Sequence, residues 1–244
     1  MRSEFSRRAL LALTLGAALG TALAGPAAAD PLKIGIIGGG NIGGTIGPLW
    51  AKAGHPVMFA SRHPEALKPL AESAGPNART GTPEEAVRFG DVVFLAVPYK
   101  AYPDLAKAIG PSLKGKVVLD AGNATKARDG ELYDEVQAGG LGTTTAKYFP
   151  GAKLVRAFST ANYRIFAKNG ANGGADRAGG RMAIPILGDD PEALKVAEGL
   201  VRDAGFDPVV AGGLKDADRF AIGAPGFGHD VTAAELRQKL GLAQ

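Results

Sequence analysis

The chain has 244 residues, 45% of them hydrophobic and 21% charged, with a formal net charge of +4 and a mean hydropathy of +0.02. These values describe a globular chain with material for a sizeable core, and they exclude a disordered, fibrous or polytopic membrane protein. Cysteine is absent, which excludes disulfides, thiolate metal sites and a cysteine nucleophile, and His55, His63 and His229 have no helical spacing that would gather a metal ion.

The first segment reads as an address. Arg2, Arg7 and Arg8 precede an apolar run from Leu10 to Ala24, which is shorter than the roughly 17–25 residues a bilayer span needs. Ala27-Ala28-Ala29 then supplies a small-residue cleavage pattern ahead of Asp30-Pro31. Residues 1–29 are therefore expected to be a signal peptide. Ser6-Arg7-Arg8-Ala9-Leu10-Leu11 resembles a twin-arginine export signal, which predicts a periplasmic or secreted protein exported in folded form. Removing this segment takes away Arg2, Arg7, Arg8 and Glu4 and lowers the formal charge from +4 to +2. No membrane span is expected after its removal. No Lys/Arg run remains, so nucleic acid is not expected as a partner.

From Lys33 onward the pattern alternates strand and helix. Lys33–Ile37 is a short apolar strand that breaks into glycines, and Ile42–Ala53 reads as a helix closed by Gly54. Val57–Ala60 is a second strand and Pro64–Ala74 a second helix. Thr82-Pro83-Glu84-Glu85 is a capping box with proline at the first helical position. Asp91–Val97 and Lys116–Ala121 are continuous apolar strands of the kind covered on both faces, joined by a helix over 99–109. Lys153–Phe158 is a further strand. This alternation predicts an α/β fold, a Rossmann doubly wound parallel sheet, over residues 30–162. Residues 163–244 are expected to form a small appended C-terminal α/β module. It begins with a mobile Gly-rich loop at 168–181 and continues with strands at 182–187 and 207–211 and helices at about 191–204 and 232–240.

Gly38-Gly39-Gly40-Asn41-Ile42-Gly43 is G-x-G-x-x-G between a predicted strand and a predicted helix, the context that gives this pattern meaning. Gly38 serves the tight turn, Gly40 lets the backbone approach a pyrophosphate, and Gly43 lets the helix pack on the strand. The helix N-terminus then offers free N–H groups to phosphate. An NAD site places Asp or Glu at the end of the second strand, where this chain has Ser61-Arg62-His63. Arg62 can pair with a 2′-phosphate and Ser61 can donate to it, so NADP is the expected dinucleotide.

The segment IGIIGGGNIGGTIGPLWAKAGHPVMFASRHPEAL, followed by VVFLAVPYKA, KVVLDAGNAT and RAFSTAN, resembles the family of coenzyme F420-dependent NADP oxidoreductases. Their N-terminal domain is shared with pyrroline-5-carboxylate reductases and with the cytosolic domains of six-transmembrane metalloreductases. The resemblance spans residues 32–162. It implies that Gly38, Gly40, Asn41, Ile42, Gly43, Ser61 and Arg62 bind NADP. It also implies that Ala96, Val97 and Pro98 lie over the nicotinamide half, and that Asn123 matches an Asn at the end of the next strand. Asn123-Ala124 stands where the family often has Asn-Pro, and Arg156-Ala157-Phe158-Ser159 where it often has Lys-x-Phe-Asn. Both departures fall on the substrate side, so the resemblance supports NADP more firmly than F420.

The reading that follows is an NADPH-dependent oxidoreductase passing hydride to a deazaflavin, flavin or other small redox substrate. Such transfer needs ring stacking and exclusion of water more than an acid or base. A carbonyl reductase would need a proton donor, for which Lys147, Tyr148, Tyr163 and His229 are candidates; Asp120 reads as a capping or core-edge carboxylate. The alternative is an exported NADP-binding module without turnover, a redox sensor or partner subunit. A 3-hydroxyacid dehydrogenase is disfavoured, because the chain lacks the long helical second domain. A homodimer stays open, and no metal is expected.

Overall fold

Short strands buried at every position require a sheet covered on both faces, and Ile34–Ile37 and Val92–Leu95 are strands of this kind. The computed structural model describes residues 31–170 and 178–242; the expected signal segment 1–29 lies outside them. The first half runs β1 (Ile34–Ile37), α1 (Gly43–Lys52), β2 (Val57–Ala60), α2 (Lys68–Ala74), β3 (Ala78–Gly81), α3 (Pro83–Phe89), β4 (Val92–Leu95), α4 (Tyr102–Ile109) and β5 (Val117–Asp120). The second half runs α5 (Lys126–Asp129), α6 (Glu131–Gly139), α7 (Leu141–Tyr148), β6 (Lys153–Arg156), α8 (Tyr163–Gly170), β7 (Ala183–Gly188), α9 (Pro191–Asp203), β8 (Asp207–Gly212) and α10 (Ala233–Leu240).

All eight strands join one sheet in the order β3-β2-β1-β4-β5-β6-β7-β8. Every pairing is parallel except β6 with β7. The chain winds outward from β1 in both directions, which is the doubly wound arrangement with its switch point between β1 and β4. Register aligns the strand ends: Ile37 faces Ala60 and Leu95, Leu95 faces Asp120, and Asp120 faces Arg156. The loops that leave these residues therefore open on one edge.

Each face of the sheet has its own core. One is built on Ile34, Ile36, Trp50 and Phe94 with the aromatic rings of Phe158, Phe166 and Phe206, which meet edge to face at 5.1–6.0 Å between centroids. Such pairs add about 0.5–1.5 kcal/mol each beyond burial. Trp50 Nε1 donates to the Leu200 carbonyl at 2.7 Å, so α9 is tied to α1 across this core. The other core gathers Val93, Leu95, Tyr99, Tyr102 and Phe149.

The expected capping box at Thr82 forms. Thr82 N–H donates to Glu85 Oε2 at 2.8 Å and Glu85 N–H to Thr82 Oγ1 at 3.2 Å, and Asp190 accepts from Ala193 N–H at 2.8 Å. Elsewhere the structure corrects the expectations. The helices expected over 64–74 and 99–109 each begin as a 3-10 turn, Pro64–Leu67 and Tyr99–Ala101. Strand β3 has only one buried residue, so no apolar run announced it; as an edge strand it needs only the ladder offered by β2. The residues expected as an appended module do not build a sheet of their own, for β7 and β8 extend the common one.

The loop expected at 168–181 starts later, because Lys168, Asn169 and Gly170 complete α8. A Cβ on Gly170 would meet Leu49 at 2.5 Å and Phe206 at 3.1 Å, and Asn169 Nδ2 donates to Ile165 O and to Asp230 Oδ1 at 3.0 and 3.1 Å. Tertiary packing holds that turn where local propensity would not. Residues 171–177 of the expected loop lie outside the described residues. Among the described residues, no helix is long and apolar enough to cross a membrane.

Packing of α3 on β1 sets a testable limit. A Cβ on Gly35 would lie 2.2 Å from the Ala86 carbonyl oxygen, whereas one on Gly199, inside α9, would meet nothing within 4 Å. Gly35→Ala is expected to destabilise the protein by about 1–3 kcal/mol through overpacking. Gly199→Ala is expected to stabilise it by about 0.5–1 kcal/mol through backbone entropy. Urea unfolding midpoints of the two variants check both signs.

Candidate functional site

The turn between β1 and α1 is shaped by what its glycines forbid. Gly38 has φ +104°, and a Cβ there would lie 2.5 Å from the Ala96 carbonyl oxygen; on Gly43 it would lie 1.9 Å from the Gly38 carbonyl oxygen. A side chain at either position would push α1 off the sheet. At Gly40 a Cβ would meet nothing within 4 Å, so the backbone borders open space there. Helix α1 has no side-chain cap, and the first amides of a helix lack intrahelical partners. Thr45 Oγ1 donates to the Asn41 carbonyl at 2.7 Å, fixing the bend. Gly44 and Thr45 N–H bond to the Gly40 and Ile42 carbonyls at 2.7 and 3.0 Å, which leaves a cradle of the Asn41, Ile42 and Gly43 amides suited to a pyrophosphate.

That cradle forms one end of a cavity of about 410 Å³. Gly40, Asn41 and Ile42 line it from β1, Ala96, Val97 and Pro98 from β4, and Asn123 from β5. Seven of the expected site residues thus meet in one place. Gly38 and Gly43 shape the turn without lining the cavity, and Ser61 and Arg62 lie beyond it at the end of β2. Gly38 N–H donates to the Ala60 carbonyl at 2.8 Å, so this second corner adjoins the turn. Ser61 Oγ accepts from His63 N–H at 3.0 Å, and Arg62 is exposed and makes no ion pair among the described residues. An exposed guanidinium beside the turn, with no carboxylate at the end of β2, fits a 2′-phosphate better than a bare ribose.

Of the candidate proton donors only Tyr163 reaches the cavity, where its hydroxyl accepts from Arg164 Nε at 3.2 Å. Tyr148 donates to Glu135 at 2.6 Å; burial first, then that hydrogen bond, pushes its hydroxyl up to about 12. His229 Nε2 lies 2.5 Å from the Pro225 carbonyl, and Lys147 is exposed. Among the described residues no group of His, Asp and Glu could hold a metal ion.

Beneath the cavity lies a network that sequence reasoning missed. Asp120 is the expected core-edge carboxylate, with partners the sequence did not show: fully buried, it pairs with the buried Arg156 at 2.5 Å and accepts from the Tyr102 hydroxyl. Burial, then the Asp120 charge, pushes Tyr102 well above its usual range, so it stays a donor. Asp120 also accepts from Gly122 N–H at 2.8 Å, and Arg156 donates to the Gly122 carbonyl at 2.6 Å. Gly122 is therefore gripped on both sides, and Asn123 follows it into the cavity wall. Asn123 Nδ2 donates to the Ser159 carbonyl at 2.6 Å. The backbone that presents this carbonyl turns at Phe158, whose φ of +56° makes it the one positive-φ residue other than glycine among the described residues. Strain of that kind is kept where surrounding structure over-determines it, and here the aromatic core holds the ring.

The far wall adds Arg128, Tyr163, Ile222 and Phe227. Arg128 donates through Nε and Nη2 to Asp129 and through Nη2 to the Asn123 carbonyl. Burial alone would raise the Asp129 carboxyl, but hydrogen bonds from Arg128 and from the N–H groups of Thr125 and Lys100 hold it below its usual range. Neither Arg128 nor Phe227 carried a sequence signal, for each arrives from a segment without a recognisable motif.

Comparison with known proteins agrees with this geometry. Residues 33–124 match the family described as NADP oxidoreductase, coenzyme F420-dependent, which bears out the resemblance read from the sequence. The chain is 29% identical over 185 residues to metalloreductase STEAP3 of Rattus norvegicus, covering 76% of this chain and 35% of that protein. It is 37% identical over 65 residues to protein YjhV of Escherichia coli, covering 27% of this chain and 47% of that protein. It thus spans about a third and about half of these curated relatives. Among solved structures, a hypothetical protein from Sinorhizobium meliloti superposes with TM-score 0.70 at 27% identity, over 83% of this chain and 95% of that one. A protein assigned as an F420-dependent NADP reductase from Arthrobacter sp. FB24 shares the fold at TM-score 0.65 and 23% identity, over 82% of this chain and 99% of that one.

Two predictions follow from the buried charges. Asp120→Asn leaves Arg156 uncompensated and is expected to cost about 3–5 kcal/mol, whereas Tyr102→Phe, which removes one hydrogen bond to a charge, should cost about 1.5–3 kcal/mol; chemical denaturation of both orders them. Asp129 is lowered in the folded state, so its contribution is present above the unfolded carboxyl pKa, about 3.9, and is lost as pH falls through the folded value. Stability measured against pH should therefore decline below about pH 4, and Asp129→Asn should flatten that decline.

Proposed function

We propose that this chain is an NADP(H)-dependent oxidoreductase that exchanges hydride with a small planar acceptor of the deazaflavin or flavin type. One observation carries the reading: the uncapped glycine turn opens into the same cavity as the Ala96–Pro98 and Asn123 loops, with Arg62 at the corner where a carboxylate would mark NAD. The residues present fit the cofactor. Gly40, Asn41 and Ile42 would hold the pyrophosphate, Ser61 and Arg62 the 2′-phosphate, and Ala96, Val97, Pro98 and Asn123 would flank the nicotinamide. When bound, NADPH supplies a hydride, two electrons with one proton, to an acceptor that completes its reduction with a proton from solvent.

The protein's own part is placement. Besides backbone, small side chains and apolar rings, the described lining residues include three asparagines, Arg128 and Tyr163, and none of them is an aspartate, glutamate, lysine or histidine. Such walls can orient two rings and exclude water, and they supply no strong acid or base, which suits ring-to-ring hydride transfer better than carbonyl reduction. Val97 and Phe227 provide apolar surface for stacking, and Asn123 is held in place from its side chain, its own carbonyl and the preceding residue.

Residues 1–29 carry the further proposal that the protein is exported folded, by a twin-arginine route. Export into a compartment with little free NADP would favour a cofactor carried along and released slowly. The rival reading, a dinucleotide-binding module without turnover, predicts retained NADP(H) that no acceptor oxidises.

The test is titration of purified protein with NADPH and NADH, followed by NADPH oxidation with flavin, deazaflavin and quinone acceptors. Tight NADPH binding with acceptor-dependent oxidation is expected; weak binding of both dinucleotides overturns the reading. Arg62→Ala should weaken NADPH binding by about 1.5–3 kcal/mol, the value of a charged hydrogen bond, and leave NADH almost unchanged. An equal loss for both would move the 2′-phosphate elsewhere.

A further inference from the structure

Arg128 is the sole charged residue among those lining the cavity. Its guanidinium is clamped: Nε lies 3.0 and 3.1 Å from the two Asp129 oxygens, Nη2 lies 2.8 Å from Oδ2, and Nη2 also reaches the Asn123 carbonyl. The two partners face opposite ways. The Asp129 side chain has no solvent exposure, and its oxygens are shared with Lys100 N–H at 3.0 Å and Thr125 N–H at 2.6 Å; the Arg128 side chain is 38% exposed. The carboxylate is thus drawn into the protein, and the pair turns its positive end to the cavity. Nη1 has no partner among the described residues. A planar fork held in this way loses little further freedom when it binds an anion.

Arg128 is also badly placed to serve the pyrophosphate. It binds the backbone just after β5, whereas the glycine turn follows β1 with β4 between them, a separation of about 10 Å at the usual strand spacing. Across the cavity mouth from the loops stand Phe227 and Ile222, the latter 51% exposed. This end of the cavity combines apolar walls with one fixed cation.

We propose that Arg128 selects the hydride acceptor by binding an anionic oxygen on it, so that the substrate class is a planar apolar ring carrying a carboxylate or phosphate. This rests on the oxidoreductase reading above. The experiment measures binding without turnover, using protein saturated with NADP⁺ and titrated with FMN or with riboflavin, which share a ring and differ by a phosphate. A second arm compares benzoate with benzamide for a carboxylate.

Wild-type protein should bind at least one anionic probe about tenfold or more tightly than its neutral counterpart, as expected for a charge-assisted hydrogen bond. That preference should fall with ionic strength and should vanish in Arg128→Gln, measured at an NADP⁺ concentration raised until the variant is saturated. The arm that shows it names the anion. Where Arg128→Gln unfolds, Arg128→Lys keeps the charge without the fork and should retain part of the preference, and the salt dependence of the wild type stands on its own. No preference in either arm, a preference that survives Arg128→Gln, or failure of all four probes to bind overturns the proposal. Failure of NADP⁺ itself to bind overturns the oxidoreductase reading, and the role of Arg128 falls with it.

Discussion

The working edge of this protein is organised around a carboxylate and a guanidinium that water does not reach. Asp120 and Arg156 end adjacent parallel strands and face one another in register. Burying such a pair is unfavourable unless geometry and further hydrogen bonds compensate. Tyr102 and both polar groups of Gly122 supply most of that compensation, although Arg156 Nε is left without a partner. A pair so placed contributes position more than stability. It fixes where the chain leaves β5, and with it the wall that carries Asn123.

From that anchor the rest of the site follows as a set of loops rooted in one sheet. Parallel strands in register deliver their loops to a common edge, and the switch point between β1 and β4 leaves a crevice there. On one side the glycine turn offers amides and open space; on the other the segment after β6, turned by the left-handed Phe158, meets Asn123. The same aromatic core that pins Phe158 also joins α1, α8 and the α9–β8 turn. The glycine turn and the wall at Asn123 are therefore coupled through a packed core. Arg128, the one charge among the described lining residues, is tied to Asn123 as well, so the polar features of that end of the cavity belong to a single connected network.

Much of the fold was legible from local pattern. The strands from β1 to β7, apart from β3, announce themselves because largely apolar runs are costly anywhere but in a covered sheet, and the edge strand β8 was read from its short Val209-Val210 core. The capping box at Thr82 forms because its partner lies three residues away in the chain. Strand β3 escaped because an edge strand requires a neighbour and no apolar run, and the three helices over 126–148 escaped because their buried faces are short. The end of α8 was read as loop, since Asn169 and Gly170 have poor helix propensity; contacts with Leu49, Phe206 and Asp230 outweigh it.

The sequence by itself determined the glycine-turn end of the site. A tight turn, an uncapped helix start and a basic residue after the second strand all act over a few residues, and the spacing of glycines and the identity of Arg62 state them directly. Only the tertiary structure decided the opposite end of the cavity. Asp120, Tyr102 and Arg156 come from separate elements, as do Asn123, Ser159 and Phe227, and none has meaning until the sheet sets them side by side. Hydrogen bonds and charges act over a few ångströms in space, whatever the distance along the chain, so a network assembled across strands leaves no local pattern to read.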